Sequence, residues 1–109
     1  MYGVMQATGR RSQGGSARYS AKNMLKPVNF FCTAPEARQV SVIGDFNEWR
    51  AEANPMRRQP DGGWATQVPL HHGHHLYLFL VDGEPLLDPR GQGYARNARN
   101  ERVSMIAVS

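Results

Sequence analysis

The sequence predicts an all-β protein, an antiparallel β-sandwich of about seven strands. Three observations predict it. Beyond Pro27, β-branched and aromatic residues alternate with polar ones in short runs. Those runs are punctuated by Pro, Gly, Asn and Asp at the spacing of turns. No segment keeps apolar residues at helical spacing over about ten residues.

The elements follow in order. Val28, Phe30 and Cys32 alternate with Asn29, which makes a first strand with those three on its core face. Ala34-Pro35-Glu36-Ala37 reads as a turn, and Gln39 to Gly44 as a second strand. Gly44 closes that strand where the backbone is expected to turn, which glycine does without steric cost. Asp45 to Pro55 is a long connection holding Phe46, expected to anchor it on the core, and Trp49. Met56 to Gln59 forms a short strand ahead of the turn at Pro60-Asp61-Gly62-Gly63. Trp64, Thr66, Val68 and Leu70 share one face of the next strand, which makes Trp64 a core residue. His74 to Val81 is the longest strand, and Asp82-Gly83 closes it with a turn of type I′ character. Glu84 to Leu87 is a short return, Gly91 to Arg102 is polar and loop-like, and Val103 to Val108 is the last strand.

A chain of 109 residues supplies one domain with a small core, too small for a deep enclosed active site. Five of its thirteen basic residues and none of its nine acidic ones fall in residues 1–26. The rest is near neutral, so residues 1–26 read as a flexible basic tail and residues 27–109 as the sandwich domain. The tail charges are not interleaved with aromatics as in single-strand binders, so no specific nucleic-acid partner is expected. No apolar run is long enough to span a bilayer, and Met1 to Ser20 lacks the apolar core of a secretory signal. A cytoplasmic location without membrane contact is therefore expected. The single cysteine, Cys32, fits a reducing compartment and a buried structural thiol.

The stretch Val40-Ser-Val-Ile-Gly-Asp-Phe-Asn-Glu-Trp49 is followed by Pro55-Met56, Asp61-Gly-Gly-Trp64 and Val68-Pro-Leu70. Then come His75-Leu-Tyr-Leu-Phe-Leu-Val-Asp-Gly83 and Asp88-Pro89. In this order and spacing the chain resembles the glycogen-binding domain of AMP-activated kinase beta subunits. It equally resembles the isoamylase-type early-set domain of starch and glycogen branching and debranching enzymes. The resemblance runs from Pro27 to Val108 and implies an immunoglobulin-like early-set sandwich. It also implies a non-catalytic module for α-glucan, such as glycogen, starch or maltooligosaccharide, that tethers or regulates in glycogen metabolism.

Family members place an aromatic at the position of Trp49, where a pyranose ring can stack its C–H face. The resemblance thus implies Trp49 as the platform, with Asn47 and Glu48 as hydroxyl partners and Ser104 at the place of a family asparagine. The family's lysine position holds Leu78, and its second tryptophan position holds Pro85. Leu76, Leu78 and Leu80 form a second apolar side of the longest strand, opposite Tyr77, Phe79 and Val81. Apolar character on both sides implies a covered second face, under either the final segments of this chain or a partner; the second option gives an alternative role in protein contact, with a glycogen-metabolising enzyme or in a homodimer.

No enzymatic motif is present. The carboxylates sit in turns, with no paired carboxylates set in an aromatic cleft, no phosphate loop and no nucleophile signature. In His71-His72-Gly73-His74-His75, strand geometry turns His72 and His74 away from His75, and no acidic or thiol ligand is near in sequence. Neither a metal nor a cofactor is expected.

Overall fold

The computed structural model describes residues 24–109. The expected basic tail therefore lies almost wholly outside the described residues. Eight strands follow in chain order: β1 (Lys26–Thr33), β2 (Val40–Gly44), β3 (Arg57–Arg58), β4 (Gly63–Leu70), β5 (Gly73–Val81), β6 (Glu84–Leu86), β7 (Gly93–Arg96) and β8 (Arg102–Val108). They make two antiparallel sheets, one ordered β1-β4-β3 and the other β2-β5-β8-β7, with β6 added to β5. β5 is the hub of the larger sheet. β2 runs along its residues 77–81 on one edge, while β8 pairs residues 73–77 and β6 residues 79–81 on the other.

The alternation legible in the sequence becomes the interior. Phe30 and Cys32 of β1, Trp64, Val68 and Leu70 of β4, Val40 and Val42 of β2, and Tyr77 and Phe79 of β5 form one buried cluster between the sheets. Phe30 meets Tyr77 edge-on at 5.0 Å between centroids, and Tyr77 meets Phe79 in the same way at 5.9 Å.

Tyr77, Asp88 and Ser104 pair their polar groups in the interior. Tyr77 Oη donates to Asp88 Oδ2 at 2.6 Å, and the Asp88 N–H donates to Ser104 Oγ at 2.8 Å. Burial, reinforced by the Asp88 carboxylate, pushes the Tyr77 hydroxyl well above the usual phenol range, so it stays a neutral donor. Asp82 and Gly83 both hold positive φ (49° and 86°), as a type I′ turn requires. The Asp82 carboxylate accepts the N–H groups of Arg38 and Gln39 at 2.8 and 2.9 Å, tying the start of β2 to the end of β5.

Two expectations need correction. Gly91 to Arg102 is not all loop, because Gly93–Arg96 forms β7 along β8. This edge strand has no β-branched residue, so only its pairing with β8 reveals it. Gly44 is required for a different reason from the one expected. Its φ is not among the positive ones, but a Cβ there would lie 2.5 Å from the Leu76 carbonyl oxygen and from Phe46 Cε2. Glycine is needed for close approach rather than for a turn.

Candidate functional site

The connection after β2 is built by short-range hydrogen bonds. The N–H groups of Asn47 and Trp49 both donate to the Gly44 carbonyl, at 3.1 and 2.9 Å. The Asn47 side chain closes the turn from within: its Oδ1 accepts the Gly44 N–H at 2.9 Å, while Nδ2 donates to Val42 O at 3.0 Å and Asn54 Oδ1 at 2.7 Å. Asp45 clamps the turn to β5, donating its N–H to Leu76 O and accepting the Leu76 N–H on Oδ2. Phe46 packs partly buried against the core and stacks on Phe30 at 6.0 Å.

This lattice forces an unusual backbone. Glu48 and Trp49 adopt φ values of 59° and 58°, two consecutive left-handed residues without glycine. Such a conformation costs about 1–3 kcal/mol per residue and persists only where the surroundings over-determine it. Trp49 is left half-buried, and Glu48 is exposed.

Trp49 stands at one wall of a depression of about 750 Å³ on the outer side of the larger sheet. The floor is apolar, made by Ile43 of β2 and its partner Leu78, and by Leu80 with its partner Pro85. Leu87 extends it, and the opposite wall is the β7–β8 hairpin with Asn97, Arg99, Glu101 and Arg102. Asn97 is consumed in shaping that hairpin, since its Oδ1 accepts the N–H groups of Arg99 and Glu101 and its Nδ2 donates to Glu101 Oε1. Arg102 lies over the Tyr94 ring at 5.6 Å. Glu48 pairs loosely with Arg50 at 3.5 Å, with both side chains largely exposed, so this pair contributes little.

The structure thus brings Trp49, Glu48, Leu78 and Leu80 together, as it does Pro85. Leu76 lies on the same sheet face, outside the lining of the depression. Two expected contacts turn away. Asn47 is only 8% exposed and its amide is spent inside the turn, so it shapes the loop that carries Trp49. Ser104 is fully buried, pairs with Tyr77 and faces the interior. Strand alternation puts Val103, not Ser104, on the side of the sheet that Leu78 faces. Arg99 and Glu101, by contrast, lie far from Trp49 in sequence and reach it only through the pairing of β8 with β5.

Among the described residues, no group of three or more His, Cys, Asp or Glu side chains is placed to share a metal ion. His71, His72 and His74 are exposed. His75 bonds the His71 carbonyl through Nε2 at 2.8 Å and faces Asp45 at 3.6 Å, which ties it to the Trp49 turn. No helix among the described residues is long and apolar enough to cross a membrane.

The chain is 46% identical over 90 residues to the 1,4-alpha-glucan branching enzyme GlgB 2 of Rhizobium johnstonii, covering 78% of this chain and 12% of that enzyme. It is 41% identical over 73 residues to the 1,4-alpha-glucan branching enzyme GlgB of Chlamydia caviae, covering 62% of this chain and 10% of that enzyme. The Bradyrhizobium sp. (strain ORS 278) GlgB is 43% identical over 56 residues, 51% of this chain and 8% of the enzyme. The chain therefore spans only about a tenth of the length of these relatives. The profile of carbohydrate-binding module 48, the isoamylase N-terminal domain, matches residues 16–103, and by that match the chain belongs to the carbohydrate-binding module 48 family.

Proposed function

We propose that this chain is a non-catalytic α-glucan-binding module that tethers or regulates in glycogen metabolism in the cytoplasm, with Trp49 as its sugar platform. The observation that carries this reading is the half-exposed Trp49 held on a strained turn beside an apolar-floored depression rimmed by Arg99, Glu101 and Glu48. A pyranose presents C–H patches to an aromatic or aliphatic wall and hydroxyls to charged groups at its edge, and this lining offers both. The relatives, which are α-glucan branching enzymes, support the same ligand class. Glu48 and Glu101 are exposed, without the dry surroundings that a carboxyl acting as a general acid needs, so the depression fits binding rather than glycoside chemistry.

Isothermal titration of the chain with maltoheptaose tests the proposal. Saturable heat is expected, and Trp49→Ala is expected to weaken affinity by about tenfold or more, equivalent to ~1.4 kcal/mol. Absence of heat with the unaltered chain, or equal affinity in the variant, overturns it.

One observation favours a second reading. The floor presents Leu78 and Pro85 at the positions where the family resemblance implies a lysine and a tryptophan, and an apolar floor suits contact with a glycogen-metabolising enzyme or a second copy. Size-exclusion chromatography of Leu78→Lys separates the two. A protein contact through Leu76, Leu78 and Leu80 predicts a change in association, whereas a glucan platform predicts none.

A further inference from the structure

We infer that the module carries a second α-glucan contact on the opposite side of the sandwich, centred on Phe31. The inference rests on the α-glucan reading above and adds a site to it.

Strand alternation turns Phe30 and Cys32 inward and therefore Phe31 outward, where it is 54% exposed. Its position in the smaller sheet gives it a defined setting. Phe31 pairs with Ala65 of β4, and Ala65 pairs in turn with Arg57 of β3. A ring, a methyl group and a guanidinium thus stand in one row across three strands. The small Ala65 leaves a trough of about 380 Å³ between the two larger side chains.

The next row is Asn29 paired with Gln67, whose amides are bonded to each other by Gln67 Nε2 donating to Asn29 Oδ1 at 3.0 Å. That bond orients both side chains and leaves Asn29 Nδ2 as a donor and Gln67 Oε1 as an acceptor, neither used in any other side-chain bond among the described residues. Gln59 at the other end donates Nε2 to the Arg57 carbonyl at 3.0 Å, which leaves its Oε1 available.

The lining selects the ligand class. An exposed aromatic ring offers a face for C–H stacking, and the paired amides offer a donor and an acceptor side by side, which suits neighbouring sugar hydroxyls. Arg57 is the one charged group that lines the trough, too little for a nucleic acid or other polyanion, which needs several cations. One phenyl ring among amides is also unlike the apolar centre of a protein interface. A neutral polyhydroxylated chain suits both the ring and the paired amides.

The two platforms lie on the outward faces of two sheets packed back to back and point in opposite directions, so one straight stretch of glucan does not lie on both. The module would engage two chains or two branches at once, and would favour a branched polymer over a short oligosaccharide through effective concentration.

Amide-resolved NMR titration of the full chain with maltoheptaose tests this. Two sets of shifts are expected, one at Asn29, Phe31 and Gln67 and one at Trp49, Leu78 and Leu80. Phe31→Ala should silence the first set and spare the second, Phe31→Tyr should restore the first, and Trp49→Ala should do the reverse of Phe31→Ala. In co-sedimentation with glycogen, Phe31→Ala should lower retention by roughly tenfold or more, through lost bivalency. A first set that stays still while the second moves overturns this inference alone. A still second set beside a moving first set upholds Phe31 and removes Trp49 as the platform. Two still sets overturn the α-glucan reading together with this one. First-set shifts that follow protein concentration rather than sugar reassign the Phe31 face to self-association and overturn the inference.

Discussion

Trp64 lies on a regular strand and Trp49 on a turn of left-handed residues, and the two regions put the same side chain to opposite uses. Trp64 is 6% exposed, donates its indole N–H to the Ala34 carbonyl at 2.9 Å, and is covered by the Arg58 guanidinium at 4.9 Å. Arg58 itself bonds the carbonyls of Pro35 and Ala37, so the turn before β2 closes over the ring. Trp49 gains no such cover. Its turn is fixed through Asn47 and Asp45, which bond the backbone and leave the indole at the edge of an open depression. One region stabilises a ring by burying it, while the other stabilises the loop around a ring so that the ring stays available.

That contrast has measurable consequences. Trp64→Ala is expected to cost about 3–5 kcal/mol of folding free energy, as large truncations in a core do. For a domain of ordinary marginal stability this is a large fraction of the total, and denaturant unfolding would show it. A loss below about 1 kcal/mol would mean that the Trp64 site is not a packed interior.

Asn47→Ala attacks the other region through its scaffold. It removes three side-chain hydrogen bonds and leaves the buried Gly44 N–H and Val42 carbonyl short of partners, a cost of about 1–3 kcal/mol. If the turn exists to present Trp49, maltoheptaose affinity should fall as well, although Asn47 does not reach the sugar. Unaltered affinity in a destabilised variant would separate loop shape from binding.

Trp49→Ala should invert the pattern of Trp64→Ala. It is expected to cost on the order of 1 kcal/mol of stability, for a half-exposed ring, yet to abolish most of the calorimetric signal with maltoheptaose. Equal loss of stability at the two tryptophans would erase the distinction between them.

The smallest effect belongs to Asp82, which fastens Arg38 and Gln39 just after the turn that covers Trp64. The Gln39 and Arg38 N–H groups, in that order, hold its carboxyl below the ordinary aspartate range. A lowered folded value contributes stability that is present above the unfolded value, about 3.9, and is lost as pH falls through the folded one. Thermal unfolding followed downward from pH 5 should therefore show a shallower acid decline in Asp82→Asn than in the unaltered chain. An identical acid profile would mean that this clamp does not bear on the Trp64 end.

Much of this organisation is legible in the sequence. The alternation in Trp64 to Leu70 placed Trp64 inside, and Asp82-Gly83 announced its turn, because side-chain period and left-handed propensity are local properties. The segment from Gly44 to Trp49 marked the loop and its protruding ring. What stayed hidden depended on long-range pairing. Asn97-Ala98-Arg99-Asn100-Glu101 is visibly a polar turn, yet nothing in its composition says that it stands across from Trp49. That placement follows from β8 lying along β5, with Tyr77 opposite Ser104.

Trp49 shows most plainly where the two kinds of determination divide. Reading along the chain is enough to see that a tryptophan ends a tight turn after an apolar strand, and that Leu78 and Leu80 share a strand face. It takes the pairing of the strands to bring these three around one depression, to turn Asn47 inward where it holds the loop, and to put Val103 rather than Ser104 on the face of Leu78. Period and turn chemistry are set by neighbours along the chain, whereas facing and register are set by strands that meet across the sheet. A one-residue change in that register moves every side chain to the other side.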